Sequence, residues 1–370
     1  MGSGSGSGAG SGPVGVALVG AGVISAQYLR TLSGFADVRV VAVADIDVAR
    51  AEAAARAHDV PLAGDTATVL AAPEVELVVN LTVPSAHVEV GLAALRAGKH
   101  LYGEKPLALR PDEAEKLLAE AAQRGLLVGC APDTFMGAGL QSALRAVAAG
   151  HIGVPVAAST AVRSLGPERW HPSPAFFYQP GAGPLFDLGP YHLTSLVALF
   201  GSVGQVAASA RQARAERVDG AGRPIPVEVP THVSALLDFT SGPAATSVLS
   251  WDSARPHLHF EVTGTEGTLA VPDPNTFAGP LRVRRNGADD WAELPVRGRT
   301  DGRGLGVVDL ARAIRSGGAP RASGALALHV LQIMTAVTDS ASRGAFVRPP
   351  ALAVQPEPLP VDWDPAPRTL

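Results

Sequence analysis

The sequence lacks the features that define several common classes of protein. It has one cysteine, Cys130, which excludes an intramolecular disulfide framework and an all-cysteine metal site. No apolar run reaches the roughly 18 residues of a membrane-spanning helix, and no segment has the composition of a secretory signal. The net charge of −4 is small and evenly spread, which argues against nucleic acid or a membrane surface as a partner. We therefore expect a soluble, cytoplasmic protein.

Two residue types are also scarce. Only three of the 30 basic residues are lysines, and the chain of 370 residues has four tyrosines, so a lysine or tyrosine within a motif is notable. The chain is long enough for two domains. The first twelve residues, rich in Gly and Ser, are interpreted as an added flexible linker and are set aside.

The first chemical motif is the segment "VGVALVGAGVIS". A short apolar strand runs from Val14 to Val19, a glycine turn follows, and apolar residues then recur at helical spacing. Gly20 permits a tight turn and Gly22 lets the backbone approach a pyrophosphate, while Val23 and Ile24 begin a helix whose N–H groups face an anion. Ser25 stands where the third glycine of the dinucleotide-binding fingerprint would be. An ordinary turn is the alternative for this motif alone.

The surrounding pattern favours the dinucleotide site. A second strand ends at Asp45, where a carboxylate can hold ribose hydroxyls; the alternative is a solvated strand end. That carboxylate would repel a 2′-phosphate, so NAD is expected rather than NADP. Strands alternate with helices up to about residue 130, which predicts a doubly wound parallel sheet. Further polar residues follow the strands, namely Asn80, Thr82, Glu104 and Lys105.

The segment "AGKHLYGEKPLAL" contains Lys105 directly before Pro106. A following proline favours extended geometry at the lysine, which would direct the side chain out of the sheet edge into the cleft. A surface lysine beside a turn is the alternative.

Three segments together resemble the glucose–fructose oxidoreductase/inositol dehydrogenase (Gfo/Idh/MocA) family: "GVALVGAGVISAQYL", "LTVPSAHVEVGLAALRAGKHLYGEKPLAL" and "GAGPLFDLGPYHLTSLVALFG". The resemblance covers nearly the whole chain after the linker. It implies an N-terminal Rossmann domain and a C-terminal α/β domain with a large, open, mostly antiparallel sheet. It also implies a nicotinamide cofactor and redox chemistry at a carbinol carbon of a sugar, cyclitol or related polyol.

The resemblance also assigns roles to residues. Lys105 would be the active-site lysine, and Asp187 would belong to the substrate side. Residues expected to line the cofactor are Thr82, Pro84, His87 and Glu104, although His87 is equally compatible with a structural position at a helix N-terminus. The expected boundaries are residues 13–135 for the Rossmann domain, 136–350 for the substrate and oligomerisation domain, and 351–370 for a surface tail.

The stretch "GPLFDLGPYHLTS" departs from the family pattern. Members commonly carry a histidine four residues after the aspartate, but here that position is Tyr191 and His192 comes one later. In a helix, position i+4 lies about 40° from i, whereas i+5 lies about 140° away. Tyr191 is therefore expected to share a face with Asp187. The helix is predicted to start near residues 187–189, because Pro190 is tolerated only in a first turn.

Tyr191 is the preferred candidate for proton transfer. An unperturbed phenol is a poor base at neutral pH, but the ammonium of Lys105 would lower its pKa, with Asp187 orienting the pair. His192 is kept as a second candidate for the base, although a core position is favoured for it. The alternative is that both residues have only structural roles, with Asp187 as a helix cap and Tyr191 as a buried aromatic residue.

The second half of the chain has mostly strand-like patterns. A long loop rich in Pro and aromatic residues contains Arg163, Trp170 and His171, which we expect either to contact substrate or to pack on another subunit. His257 and His259 alternate onto one strand face, but without a third ligand no metal site is expected. A sheet face with no predicted helix indicates a homo-oligomer, a dimer or tetramer.

The favoured function is an NAD(P)-dependent oxidoreductase that transfers a hydride between a nicotinamide cofactor and a secondary alcohol carbon of a sugar, glycoside or cyclitol. One alternative is redox-initiated elimination or epimerisation with the cofactor recycled in place. The other is a non-catalytic dinucleotide-binding sensor.

Overall fold

A computed structural model describes residues 11–350 and 355–370 and contains two main sheets. Most of the predicted linker, residues 1–10, and the first part of the predicted tail, residues 351–354, lie outside the described residues.

The first sheet is parallel and has the strand order β3-β2-β1-β4-β5-β6. Its strands are apolar runs because helices cover both faces of the sheet. Their bounds are β1 Val14–Val19, β2 Val38–Ala44, β3 Leu62–Gly64, β4 Leu77–Asn80, β5 His100–Gly103 and β6 Val128–Cys130. The order reverses between β1 and β4, so a crevice opens at the carboxyl ends of these strands, where α/β sheets bind ligands.

The crossovers of this sheet are helical. The helices are α1 Ser25–Leu32, α2 Val48–Ala57, α3 Thr66–Ala71, α4 His87–Arg96 and α5 Pro111–Gln123. Asp47 caps α2, since its side chain accepts a hydrogen bond from the Arg50 amide at 3.3 Å.

The second sheet has eight strands in the order β16-β15-β14-β13-β7-β12-β11-β8. Neighbouring strands pair antiparallel, except that β7 and β12 are parallel. A short ribbon of β9 and β10 stands beside it. The strand bounds are β7 Pro155–Arg163, β8 Val203–Arg211, β9 Glu216–Val218, β10 Pro224–Pro226, β11 His232–Phe239, β12 Ala244–Ser250, β13 His257–Gly264, β14 Gly267–Ala270, β15 Leu281–Arg285 and β16 Ala292–Leu294. The predicted fold class, a doubly wound parallel sheet plus a large, mostly antiparallel sheet, is confirmed.

The strand-like pattern of residues 203–218 is interrupted in the structure, where these residues divide into β8 and β9. The Gln212 side-chain amide donates to the carbonyls of Arg214 and Val227 at 3.2 and 2.7 Å. These bonds stabilise a bend between the two strands.

Four helices complete the second half: α6 Ala138–Ala148, α7 Gly183–Phe200, α8 Leu305–Ser316 and α9 Gly324–Arg343. Helix α7 packs on β12, β11 and β7, and α9 packs on β8. Thr160 and Ser247 are buried on this covered face and bond to each other at 2.9 Å. Side chains alternate between the two faces along a strand, so Ser159 and His259 lie on the other face.

The predicted start of α7 was wrong. The helix begins at Gly183 with Pro184 in its first turn, where the missing proline N–H costs nothing, and Pro190 lies inside it. Pro190 has no N–H to donate to the Phe186 carbonyl, and its ring crowds that oxygen. The helix therefore carries a local defect next to Asp187.

Candidate active site

The glycine turn after β1 has the geometry that a dinucleotide requires. Gly20 has φ +102°, and a Cβ there would lie 2.7 Å from the Leu81 carbonyl carbon, so only glycine fits. A Cβ at Gly22 would meet nothing within 4 Å, which leaves the backbone open to a ligand. The Ser25 hydroxyl donates to the Gly22 carbonyl at 2.6 Å and so stabilises the turn from the third fingerprint position.

A cavity of about 770 Å³ opens beside this turn, a volume within the range of cofactor sites. Four of the predicted cofactor residues line it: Gly20, Gly22, Asp45 and Thr82. Val23 and Ile24 lie in the turn just before α1, and no side chain caps this helix. The turn, the open Gly22 and the cavity together fit NAD, with the pyrophosphate at the turn and the ribose near Asp45.

Asp45 connects the second strand to the glycine turn. Its carboxylate accepts hydrogen bonds from the backbone N–H of Ala21 at 2.7 Å and of Asp47 at 2.9 Å. The Arg50 guanidinium lies 3.5 Å from the same carboxylate. Asp45 is thus a buried carboxylate at the wall of the cavity and not a solvated strand end.

The turn after β4 is held by His87. One ring nitrogen lies 2.6 Å from the Pro106 carbonyl and the other 3.0 Å from the Thr82 carbonyl. The Asn80 side chain accepts from the Thr82 N–H and hydroxyl. His87 and Pro84, which begins a short 3-10 turn, do not line the cavity. His87 therefore has the structural position that the sequence left open as an alternative. It joins the Thr82 turn to the segment that follows Lys105.

Glu104 and Lys105 follow β5, the neighbour of β4. Glu104 accepts hydrogen bonds from the Tyr28 hydroxyl and from the Lys105 amide, each at 3.0 Å. The Lys105–Pro106 peptide bond is cis.

Lys105 meets Asp187 from the other half of the chain. Its Nζ donates to the Asp187 carboxylate at 2.8 Å and to the Asp187 carbonyl at 2.9 Å. That carbonyl lies next to the helical defect at Pro190. Burial would lower the pKa of Lys105, but the charge of Asp187 and its hydrogen bond to Lys105 contribute to a net rise. Lys105 therefore remains a cation throughout the physiological range.

Tyr191 lies beside this pair. Lys105 Nζ is 5.2 Å from the centroid of its ring, and the hydroxyl makes no hydrogen bond with any residue that the structure describes. Burial gives Tyr191 a net pKa above the usual value, although Lys105 does lower that pKa, as expected. Arg303 lowers it as well. Tyr191 is therefore a neutral phenol at pH 7.

His192, the next residue, lies in a different environment. It is buried, its ring centroid lies 6.2 Å from that of Phe260 on β13, and its Nδ1 has no hydrogen-bond partner. Burial lowers its pKa to about 4. A core position is the one that the sequence favoured for His192, and its role as the base remains a prediction to be tested.

The proposed substrate residues do not meet at this point. Arg163 is exposed on the face of the large sheet opposite α7, by alternation with Thr160. His171 and Trp170 belong to an aromatic cluster with ring centroids 5.4 Å apart, and Trp170 is 68% exposed.

Two residues of the site were missed by sequence reasoning. Arg303 precedes α8, and its guanidinium carbon lies 5.7 Å from the Tyr191 ring centroid. Asp133 is buried and accepts hydrogen bonds from the Gly304 and Gly306 amides at 2.7 and 3.1 Å. Neither residue stands in a motif, so no local signal pointed to them.

Within residues 11–350 and 355–370, no group of three or more His, Cys, Asp or Glu side chains is arranged to hold a metal ion. No helix in these ranges has both the length and the apolar character to cross a membrane.

The fold and the site define an NAD(P)-dependent dehydrogenase acting on CH–OH groups. Known proteins with similar sequences and structures support this class. Residues 14–131 match the oxidoreductase family with an NAD-binding Rossmann fold, and residues 140–270 match the GFO/IDH/MocA C-terminal domain. The chain belongs to the Gfo/Idh/MocA family.

One curated relative is the bovine (Bos taurus) trans-1,2-dihydrobenzene-1,2-diol dehydrogenase, 30% identical over 261 residues, which span 70% of this chain and 73% of the relative. An NAD-binding oxidoreductase from Klebsiella pneumoniae has a similar structure, with a TM-score of 0.81, 24% identity and coverage of 91% and 99% of the two chains. Levoglucosan dehydrogenase in complex with NADH and L-sorbose gives a TM-score of 0.79 at 21% identity, covering 92% of this chain and all of that one.

Proposed function

We propose that this enzyme transfers a hydride between a nicotinamide cofactor, NAD in preference to NADP, and a secondary alcohol carbon of a sugar, glycoside or cyclitol, with Lys105, Asp187 and Tyr191 at the reacting centre. The observation that carries the proposal is the meeting of Lys105 with Asp187, at 2.8 Å, and with the Tyr191 ring, at 5.2 Å, after the strand next to β4. These residues come from two halves of the chain, and Lys105 directly follows the end of β5, in the same sheet as the strand β1 that precedes the glycine turn.

The three side chains have different roles in this proposal. Tyr191 exchanges the proton of the substrate hydroxyl, because its own hydroxyl has no partner within the described protein. Lys105 stays protonated and stabilises negative charge on the reacting oxygen. Asp187 holds Lys105, and its second carboxylate oxygen is available for a neighbouring substrate hydroxyl. Bound NAD would supply the hydride acceptor at the carbinol carbon.

A neutral Tyr191 favours one direction at neutral pH. A protonated phenol can donate to an oxygen that gains charge during carbonyl reduction, whereas alcohol oxidation needs the phenolate as base. We therefore expect the oxidation rate to rise with pH through the apparent pKa of Tyr191.

The substrate class is supported by the relatives. Two of them are a trans-1,2-dihydrobenzene-1,2-diol dehydrogenase and levoglucosan dehydrogenase, the latter in complex with L-sorbose. The substrates named there carry adjacent hydroxyl groups, which suits a site with one proton-exchanging phenol and a second hydrogen-bonding carboxylate.

The test is the appearance of NADH with a panel of sugars, glycosides and cyclitols. We expect NADH in amounts equal to the oxidised product. Turnover of a substrate without net NADH would instead indicate recycling of the cofactor, as in elimination or epimerisation. NAD binding without turnover on the whole panel would contradict the enzyme and favour a sensor.

Lys105→Met tests the catalytic assignment. We expect kcat to fall about 10²-fold or more, the scale for a positioned acid–base group, because the fixed cation is lost. Lys116→Met is the matched control, since Lys116 is an exposed lysine on α5. A loss below about tenfold in the folded Lys105→Met variant would remove Lys105 from the mechanism.

We also propose that the chain forms a homo-oligomer through the uncovered face of the large sheet. This face has small side chains such as Ser159 and Ala161 between edge strands, and a flat face of this kind can pack on a second copy. Sedimentation velocity would show a dimer or tetramer, and a monomer at micromolar concentration would contradict it. A cytoplasmic location remains a prediction.

A further inference from the structure

Arg303 contacts the catalytic group from a direction that no motif predicted. It lies in the segment between β16 and α8, and its guanidinium carbon is 5.7 Å from the centroid of the Tyr191 ring. Lys105 Nζ lies 5.2 Å from the same centroid. The phenol of Tyr191 is therefore next to two cations, each within the distance at which a cation interacts with an aromatic ring.

Arg303 is held in place from both ends. Its Nη2 donates to the Asn275 side chain at 3.1 Å, and its backbone carbonyl accepts a hydrogen bond from the Thr31 hydroxyl. The next residues in the chain are fixed by Asp133, which accepts the Gly304 and Gly306 amides. A long side chain held in this way loses little additional freedom when the reaction begins.

The charge of Arg303 is less neutralised than that of Lys105. Lys105 forms an ion pair with Asp187 at 2.8 Å, but no carboxylate lies within 4.0 Å of the Arg303 guanidinium in the described ranges. Asp133 and Glu104 interact with it only at longer range, together with Tyr28 and Tyr191. The field of Arg303 therefore acts on Tyr191 with less cancellation than the field of Lys105.

We propose that Arg303 is a second cation of the active site, which stabilises the negative charge on the Tyr191 oxygen when Tyr191 loses its proton. Arg303 acts through Tyr191 and is therefore a positioning residue rather than a catalytic one. The inference rests on the proposed function, because it assumes that Tyr191 exchanges the substrate proton.

The groups that face Tyr191 have opposing effects on its pKa. Burial raises it most, Lys105 and Arg303 lower it, and Glu104 and Asp187 raise it. A nearby opposite charge moves a pKa by about one unit or more. Loss of Arg303 should therefore move the pH dependence of oxidation upward by about one unit, which is about tenfold in kcat at a pH below the apparent pKa.

The experiment compares the full-length wild-type enzyme with Arg303→Met and Arg303→Lys. We expect Arg303→Met to shift the alkaline rise of kcat upward and to leave KM within about threefold. Arg303→Lys keeps the charge and should recover most of the shift. Arg282→Met is the control, because Arg282, on strand β15, also lies over an aromatic ring, that of Trp291.

A second measurement reads Tyr191 directly. Burial raises the pKa of the other three tyrosines, Tyr28, Tyr102 and Tyr178, well above the usual value. The first phenolate to appear in an ultraviolet pH titration should therefore be that of Tyr191, and Tyr191→Phe should remove it. Arg303→Met should move this first step to higher pH.

The outcomes separate the two proposals. An unchanged pH profile and an unchanged first titration step in Arg303→Met would overturn the role of Arg303, as would a rise in KM alone, which indicates substrate binding. Wild-type kcat in Tyr191→Phe would overturn the proposed function instead. If Arg303→Met does not fold, Asn275→Ala removes the side-chain anchor of Arg303 and should give a smaller shift in the same direction; no shift there would contradict the inference.

Discussion

Tyr191 and His192 are neighbours in the chain, but α7 carries them into opposite environments. The hydroxyl of Tyr191 lies beside Lys105, whereas His192 packs near Phe260 in the core. The difference follows from helix geometry, since one residue of displacement rotates a side chain by about 100°. A residue's role in this site therefore depends on its helical phase more than on its chemical type.

The first prediction compares how substitutions of Tyr191 and of His192 change kcat and the melting temperature. Tyr191→Phe should lower kcat by about 10²-fold, because the proton exchange is lost, with little change in melting temperature. His192→Ala should lower the melting temperature through a core cavity and lower kcat less. Steady-state kinetics and thermal unfolding of both variants measure this. The reverse order of the kcat losses would move the base to His192.

His192 should also make stability depend on pH. Its pKa is about 4 in the folded protein and about 6.5 when unfolded, so the unfolded chain binds the proton first. The contribution of His192 is constant above about pH 6.5, and the free energy of unfolding then decreases by about 3 kcal/mol as the pH falls to about 4.

Urea unfolding at several pH values measures this effect. The variant His192→Gln cannot titrate and should show a smaller decrease between these pH values than the wild type. His58→Gln is the control, because His58 is exposed at the end of α2. Equal slopes for His192→Gln and wild type would contradict the prediction.

At the residue scale, the sequence identified those site residues that belong to a motif or that have helical spacing from another site residue. Lys105 was singled out by its strand end and its proline, and Tyr191 by its spacing from Asp187. Arg303 could not be found, because it approaches Tyr191 only through tertiary structure. The net pKa of Tyr191 could not be predicted, because a sequence shows a neighbouring charge more readily than it shows burial.

At the scale of elements, the long loop of residues 164–182 is held by one buried arginine. Arg217 on β9 donates to Glu168 at 2.8 Å and also binds Asp252 and the Trp251 carbonyl. Glu168 also accepts a hydrogen bond from the Tyr178 hydroxyl. This network and a small aromatic cluster fix the loop just before α7.

Arg217→Met should destabilise this loop strongly. Removal of one partner from a buried ion pair typically costs about 3–5 kcal/mol, because the remaining charges stay buried. We expect a lower melting temperature and faster proteolysis within residues 164–182. Arg223→Met is the control next to the same ribbon, since the Arg223 side chain is 71% exposed and its ion pair with Asp219 should contribute only about 1 kcal/mol. Equal effects of the two variants would contradict the role of the network.

Most elements could be predicted, and the misses have physical causes. Alternating strands and helices predicted the parallel sheet, but β3 and α3 have three and six residues and are too short to show periodicity. The early start of α7 was missed because a proline inside a helix normally marks a first turn. Here Lys105 donates to a carbonyl beside Pro190, a tertiary contact that the sequence does not contain.

At the scale of the whole molecule, the end of the chain returns to its beginning. Asp37, just before β2, is fully buried and accepts hydrogen bonds from the Thr369 hydroxyl, the Leu370 amide and the Arg312 guanidinium. Arg312 on α8 also lies over the Trp363 ring at 5.2 Å. Residues 355–370 thus return to the Rossmann half of the chain.

Asp37 is therefore a point where the Rossmann sheet, helix α8 and the tail meet, and its removal should weaken all three. Asp37→Ala leaves the guanidinium of Arg312, 17% exposed, without its carboxylate, so a loss of about 3–5 kcal/mol in the free energy of unfolding is expected. Urea denaturation measures it. Asp339→Ala, in an exposed pair on α9, is the control and should change stability by less than about 1 kcal/mol. Because α8 follows Arg303 directly, loosening of this junction should also reduce kcat, whereas unchanged stability and kcat in Asp37→Ala would mean that the tail only lies on the surface.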